Sequence, residues 1–261
     1  MSESTLPHVA LVTGGAKRLG RQIALDLARA GWDVAIHYSS SRKEAEHTAA
    51  EIQNLGRRTC LIAADLANQV DVNRVIGQCA STLGEPSCLV NNASLFEYDN
   101  ASSFTYEQLQ RHMAINVAAA ISLTHALHQL RVESRYAFPQ PAVAINLLDQ
   151  KLINPNPDFL SYTLSKAALL EATRLLAQAL APQTRVVGLG PGITLVSGDQ
   201  TDESFVQAHQ QTPLGRSSTP SDIGAAVVYL ASAHAITGTT LYVDGGQHLQ
   251  PSDRDVMFLT G

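Results

Sequence analysis

Cysteine is scarce in this 261-residue chain: Cys60, Cys79 and Cys88 are the three, and no CxxC occurs. That excludes a zinc knuckle and a paired redox motif, and three thiols cannot all pair within one chain. Buried thiols in a reducing compartment are the expectation. No stretch reaches the ~18 apolar residues that a membrane helix needs. Met1–Pro7 lacks the basic-then-apolar order of a signal peptide, so no membrane partner is expected and the cytoplasm is the expected compartment. No Lys/Arg-rich run is present and the net charge is -5, which leaves no footprint for nucleic acid. Nine histidines are scattered without HExxH. His125 and His128, three apart, read as a polar helix face rather than a metal pair, so no metal site is expected. No GxSxG marks a nucleophilic serine, and there is neither an internal repeat nor a low-complexity segment.

What the chain has is alternation. Short apolar runs at His8–Thr13, Asp33–Tyr38, Thr59–Ala64, Ser87–Asn91, Ala142–Leu147, Arg185–Leu189 and Thr240–Val243 are separated by helical patterns. Those patterns cover Gly20–Ala30, Arg42–Leu55, Val70–Leu83, Thr105–Leu130 (one long or broken helix), Phe159–Leu180 and Ser221–Ser232. Runs that are apolar throughout fit central parallel strands covered on both faces. The β-α-β order then predicts an α/β, doubly wound Rossmann fold with a seven-stranded parallel sheet flanked by helices. One domain over residues 1–261 is expected, with a substrate loop at about 190–220 and a tail at 247–261. In such sheets ligands bind beyond the carboxyl ends of the strands.

The motifs lie at those ends. Thr13 to Gly20 reads TGGAKRLG between the first strand and the first helix. Glycines let backbone approach a pyrophosphate, and the helix start offers free N–H groups and a positive dipole end. Asn91-Asn92-Ala93 follows the fourth strand, Tyr162-x-x-x-Lys166 lies on a helix after the fifth, and Gly190-Pro191-Gly192 and Val243-Asp244-Gly245-Gly246 come later. In this order, over roughly residues 8–246, these motifs resemble the short-chain dehydrogenase/reductase family. Arg18 stands where most of that family has glycine, and TGGAKRLG is similar to the pteridine reductase branch.

The resemblance implies cofactor-binding positions at Gly14, Lys17, Arg18, Leu19 and Gly20, at Asn92, Ala93 and Ser94, and at Pro191, Gly192 and Ile193, with Tyr162 and Lys166. Asp65, followed by Leu66, resembles the family's adenine-contacting aspartate. After the second strand an NAD enzyme places a carboxylate; here His37-Tyr38-Ser39-Ser40-Ser41-Arg42 offers hydroxyls and a cation, with no acid before Glu44. That favours NADPH as cofactor. Ser41 with Glu44 also fits a helix capping box.

Tyr162 and Lys166, four apart, share a helix face. An ammonium beside a phenol stabilises the tyrosinate and lowers its pKa. Thirteen residues before Tyr162, where most members carry serine, stands Asp149, as in the pteridine reductase branch. An ionised aspartate repels a developing alkoxide, whereas a protonated one can pass a proton through tyrosine to a ring nitrogen. The resemblance therefore implies Asp149, Tyr162, Lys166 and Asn116 as catalytic residues. It implies Arg18, Ser94, Phe96, Asp149, Tyr162 and Thr194 as substrate contacts. Asn92-Ala93-Ser94-Leu95-Phe96 matches the branch's NASxF, with Phe96 stacking on the pterin ring. Asn116 has a bland alternative, a core hydrogen bond.

The expected function is NADPH-dependent reduction of a pterin or folate, its small-molecule partner. A carbonyl reductase of the same family, or an NADP-binding regulator without turnover, remain as alternatives. The family implies a homotetramer packed through Thr105–Leu130 and Phe159–Leu180, both apolar on more than one face. The apolar end Val256-Met257-Phe258-Leu259 suggests a tail that closes a neighbouring subunit's site.

Overall fold

The computed structural model describes residues 8–136, 140–196 and 202–258. The reading of Met1–Pro7, and the parts of the expected loop and tail at 197–201 and 259–261, lie outside them. The apolar runs form strands β1 (Val9–Val12), β2 (Asp33–Tyr38), β3 (Thr59–Ala63), β4 (Cys88–Asn91), β5 (Ala142–Leu147), β6 (Thr184–Pro191) and β7 (Thr240–Val243). All pair in parallel, in the order β3-β2-β1-β4-β5-β6-β7. This is the doubly wound fold that the periodicity predicts. Position explains burial: the five inner strands are buried almost throughout, while the edges β3 and β7 are partly exposed.

Alternate residues of a strand feed opposite cores. Ala10, Val12, Val34 and Ile36 pack beneath α1 (Arg18–Arg29), α2 (Arg42–Asn54) and α8 (Pro220–Ser232). Val9, Leu11, Ala35 and Leu89 pack beneath α3 (Gln69–Thr82), α5 (Ala119–Glu133) and α6 (Leu160–Ala179). Leu11, Ile36, Leu89, Ile145 and Leu189, one on each inner strand, are fully buried, each worth about 2 kcal/mol relative to exposure. The strand ends that carry the motifs therefore stand on a rigid platform.

Two elements differ from expectation. The helix expected over Thr105–Leu130 is broken into α4 (Tyr106–Met113), a π-helical turn at Ala114–Ala118, and α5. Within the expected loop lies a helix, α7 (Asp202–Gln210). Of its described side chains only Ala208 is buried, so its sequence carries almost no apolar stripe. Downstream, α8 starts where Thr219 and Asp222 form a reciprocal capping box with Pro220 in the first turn.

Candidate active site

The glycine turn is braced from three sides. Thr13 Oγ1 donates to the Val90 carbonyl at 3.2 Å and accepts the N–H groups of Asn92 and Ala93 at 2.9 and 3.0 Å. The Asn92 amide donates back to the carbonyls of Thr13 and Gly14 at 2.8 and 3.2 Å. Beneath the turn, the Gly14 N–H donates to Nδ1 of His37 at 3.1 Å, while Nε2 meets the Ala64 carbonyl at 3.1 Å. Gly20 admits no side chain: a Cβ there would stand 2.1 Å from the Gly14 carbonyl oxygen. Arg18 adopts the left-handed backbone that its usual glycine would take, with φ at 53°, and its guanidinium donates to the Val196 carbonyl at 2.8 Å. Lys17, at the N-cap of α1, makes no side-chain cap and no acid sits in the first turn. The N–H groups of α1 are thus left to face an anion across a cradle too narrow for a Cβ, and the residues fit a dinucleotide pyrophosphate.

Of the expected cofactor contacts beyond the glycine turn, His37, Tyr38 and Leu66 are buried. His37 is buried with both ring nitrogens spent on backbone, and burial lowers its pKa, so it supports the turn from behind. Tyr38 and Leu66 are also buried, each in a core cluster. Asp65 is exposed, its carboxylate accepting the Ala67 N–H at 2.9 Å. The expected capping box at Ser41 and Glu44 does not form, because Ser41 makes no side-chain cap bond. Ser39 and Ser40 are exposed beyond β2. Arg42 pairs with Glu46 at 2.9 Å, and Lys43, together with Lys17, Arg21 and His47, lines the hollow between the starts of α1 and α2.

Beyond β5, the chain turns at Asp149 into a short 3₁₀ helix, Gln150–Leu152. The Asp149 carboxyl is fixed at both oxygens. Oδ1 accepts the Lys151 N–H at 2.9 Å, and Oδ2 accepts the Tyr162 hydroxyl at 2.8 Å. Lys166 lies a turn along α6, with Nζ 5.7 Å from the Tyr162 ring centroid, and donates to the Leu147 carbonyl at 2.7 Å. Burial raises the pKa of Asp149, and burial with the nearby Asp149 charge raises that of Tyr162 well above 10. Burial lowers Lys166 to about 8. This corrects the expectation that Lys166 lowers the tyrosine pKa: the ammonium is tied to a carbonyl, and a carboxyl meets the phenol. The group is poised as a proton donor rather than a tyrosinate.

A cavity of about 270 Å³ opens over this pair. Arg18, Ser94, Phe96, Asp149, Tyr162 and Thr194, the six expected substrate contacts, all line it. Asn92, Leu19, Lys166, Pro191, Gly192 and Ile193 border it too, whereas Asn116 does not. Asn116 sits in the π-helical turn with its amide spent: it donates to the Leu95 carbonyl and Ser165 Oγ, and accepts the Leu95 N–H. The core hydrogen bond is the reading that this geometry favours for it. Phe96 stacks on Phe159 at 4.2 Å and meets the Tyr162 ring edge-on at 4.7 Å. One face is therefore taken, and the exposed side of Phe96 is turned to the cavity.

Other residues of the site went unread in the sequence. In the sequence, Thr13 stands only as part of a motif. Asp99 caps α6 by accepting the N–H of Ser161 at 2.9 Å and its hydroxyl; this aims the next residue, Tyr162. Asp255, Val256 and Met257 line the cavity of their own chain, where the sequence suggested a neighbour's. Charge explains that placement, since Asp158 and Lys151 hold Arg254 and Asp255. Among the described residues no cluster of metal-ligating side chains is found, and no helix is long and apolar enough to cross a membrane.

Residues 14–248 match a family model described as enoyl-(acyl carrier protein) reductase. An uncharacterized oxidoreductase of Mycobacterium tuberculosis, MT0954, is 37% identical over 244 residues, 91% of each chain. The structure of FolM alternative dihydrofolate reductase 1 from Brucella canis, complexed with NADP, is similar at 38% identity and a TM-score of 0.87, covering 94% of this chain and 95% of that one. FolM alternative dihydrofolate reductase 1 from Brucella suis, also with NADP, is similar at 37% identity and 0.84, covering 93% and 96%.

Proposed function

Because the chain belongs to the short-chain dehydrogenase/reductase family, we propose that this NAD(P)-dependent oxidoreductase is a pteridine reductase that uses NADPH. The observation that carries the proposal is the 2.8 Å hydrogen bond from the Tyr162 hydroxyl to the Asp149 carboxyl, beside a cavity with Phe96 in its wall. The likeness to two FolM structures with NADP supports it.

Gly14, Lys17, Arg18, Leu19 and Gly20 would hold the dinucleotide's phosphates. Ser39, Ser40, Ser41 and Lys43 would meet a 2′-phosphate, with no acid between β2 and Glu44. Asn92, Ala93, Ser94, Pro191, Gly192, Ile193 and Lys166 complete the binding set. When bound, NADPH supplies a hydride for the carbon of a pterin C=N bond. Tyr162 would give its proton to the adjacent nitrogen, and Asp149, whose pKa burial raises, would restore it when protonated, so that C=N becomes CH–NH. Lys166 adds positive charge beside the phenol below about pH 8. Phe96 offers one ring face to the flat substrate, a stack worth ~1 kcal/mol beyond area burial. Arg18, Ser94 and Thr194 border the ring's polar edges.

In this proposal the chain is one domain, with 190–220 as substrate loop and 247–261 as tail, and it assembles as a homotetramer through the α4–α5 segment and α6. The free thiols of Cys60, Cys79 and Cys88 suit the reducing cytoplasm in which we place it.

The test is turnover. Purified protein with NADPH is offered dihydrobiopterin, dihydromonapterin and dihydrofolate beside a panel of simple ketones. Oxidation of NADPH with a dihydropterin is expected. Activity on ketones with none on pterins would instead assign a carbonyl reductase, and NADPH binding without turnover a regulator.

A further inference from the structure

The C-terminal segment is tied to the reacting centre of its own chain by charges that the proposed reaction leaves unused. Arg254 donates through Nε and Nη2 to the two carboxylate oxygens of Asp158, at 2.8 and 3.0 Å, and the Asp255 N–H donates to the same carboxylate at 2.8 Å. Asp255 then extends its own carboxylate to Nζ of Lys151, 3.2 Å away. Lys151 is buried, and its Nζ also donates to the Asp158 carbonyl at 2.6 Å. The backbone N–H of this lysine is the one that holds Oδ1 of Asp149. Phe258 finishes the segment against Tyr98 and Phe159, at ring distances of 5.4 and 6.1 Å.

The charged and titratable groups around Asp149 come from five elements. They are Tyr162 and Lys166 on α6, Lys151 on the 3₁₀ turn, Tyr242 on β7, Arg18 beside the glycine turn, and Asp255 on the tail. Only Asp255 among them is a carboxylic acid. Asp255 offsets the Lys151 ammonium 3.2 Å away, a positive charge that would otherwise favour the Asp149 carboxylate.

We infer that Asp255 is a positioning residue: held by Lys151 and Asp158, it sets a second carboxylate at the cavity wall and favours the protonated form of Asp149. Neighbouring like charges disfavour ionisation. The direction agrees: burial raises the pKa of Asp149, the hydrogen bonds from the Lys151 N–H and the Tyr162 hydroxyl lower it, and Asp255 raises it against the smaller pull of Lys166. The purpose of that acid rests on the pteridine reductase reading; its protonation does not.

The experiment needs neither cofactor nor substrate. Infrared difference titration of the full-length protein follows the carbonyl stretch of a protonated carboxylic acid, and Asp149→Asn identifies the band. Asp255→Asn removes the charge while retaining a hydrogen bond to Lys151, and truncation after Asp253 removes the segment. In both, the Asp149 midpoint is expected to fall by about one pH unit. An unmoved midpoint in Asp255→Asn overturns the inference; should that variant not fold, an unmoved midpoint in the truncated chain does. With a dihydropterin, the alkaline limb of kcat is expected to move down in step. A band shift in a protein that turns over no pterin would uphold the role of Asp255 and remove the pterin reading.

Discussion

Asp149 binds a proton more tightly in the folded chain than in the unfolded one, because burial raises its pKa. Between the ordinary carboxylate range and that raised value, the folded state holds a proton that the unfolded state has released. Stability from this group is therefore full at acid pH and falls as pH rises through the interval. Asp149→Asn removes the titration. Its melting temperature is expected to match wild type in acid and exceed it increasingly toward alkaline pH, while dihydropterin turnover falls about 10²-fold or more with the loss of the acid. Thermal melts across pH check the first part, and a wild-type advantage that grows with pH would sink it. Lys166 runs the other way. Burial lowers its pKa to about 8, so the cost of its buried charge is present below about pH 8 and relieved as pH climbs toward the ordinary lysine value. The upper part of the melting curve should accordingly flatten in Lys166→Met. For a substrate that needs an acid rather than a hydrogen-bond donor to an oxyanion, Asp149→Ser is expected to abolish pterin reduction and leave any ketone reduction unchanged or improved.

A turn or helix works here through what it excludes. At the start of α1 the excluded object is a methyl group: Gly20→Ala would drive a Cβ to 2.1 Å from the Gly14 carbonyl and 2.6 Å from the Asn92 amide. The turn must then shift off Asn92 and Thr13. NADPH affinity is expected to fall at least tenfold, about 1.4 kcal/mol, read by fluorescence titration; unchanged binding would mean that the phosphates lie elsewhere. At the π-helical turn, Asn116→Ala leaves the Leu95 carbonyl and N–H without their buried partner, costing about 1–3 kcal/mol and loosening the Ser94–Phe96 wall. A higher KM for the pterin, with kcat nearly kept, is the expected pattern. Elements of these two kinds were not equally legible in the sequence. The seven strands could be read because inner parallel strands are apolar at every position, and the glycine turn because only a few residue types fit its backbone. The π-helical turn keeps the apolar content of the helix around it, and α7 buries too little to leave a stripe. Asp99, Asp158, Lys151 and Asp255 reached the site through pairings across about 60 to 100 residues, and such pairings leave no period to read.

Taken whole, the molecule puts its reacting residues on one face of α6 and leaves leucines on the opposite face. Ser161, Tyr162, Ser165, Lys166 and Leu169 are buried against the sheet and the cavity, while Leu164 and Leu175 are 47% and 59% exposed. Those leucines are eleven residues apart, three turns, and so lie on the same side. Ala167 and Ala179, three and four residues further along from them, are exposed too, and small side chains let a second helix approach closely. Glu171 and Arg174, the charges between them, pair with each other at 3.3 Å. Apolar residues on the outer face of a helix as well as its inner one suit a partner on each, and in this fold the sheet covers only half of α6. A homotetramer joined partly through this face follows from the proposal above. Light scattering on the wild type should give four chains. Leu164→Glu with Leu175→Glu should give smaller species, because two carboxylates would face their own copies across the symmetry axis. Folding should survive, since neither leucine joins the core clusters. Activity should fall several-fold rather than vanish, because Tyr162 and Lys166 stand on the inner face of the helix whose outer face has lost its support. A wild type that is monomeric and fully active at micromolar concentration would show instead that this face of α6 stays open to water and that each chain's site is complete alone.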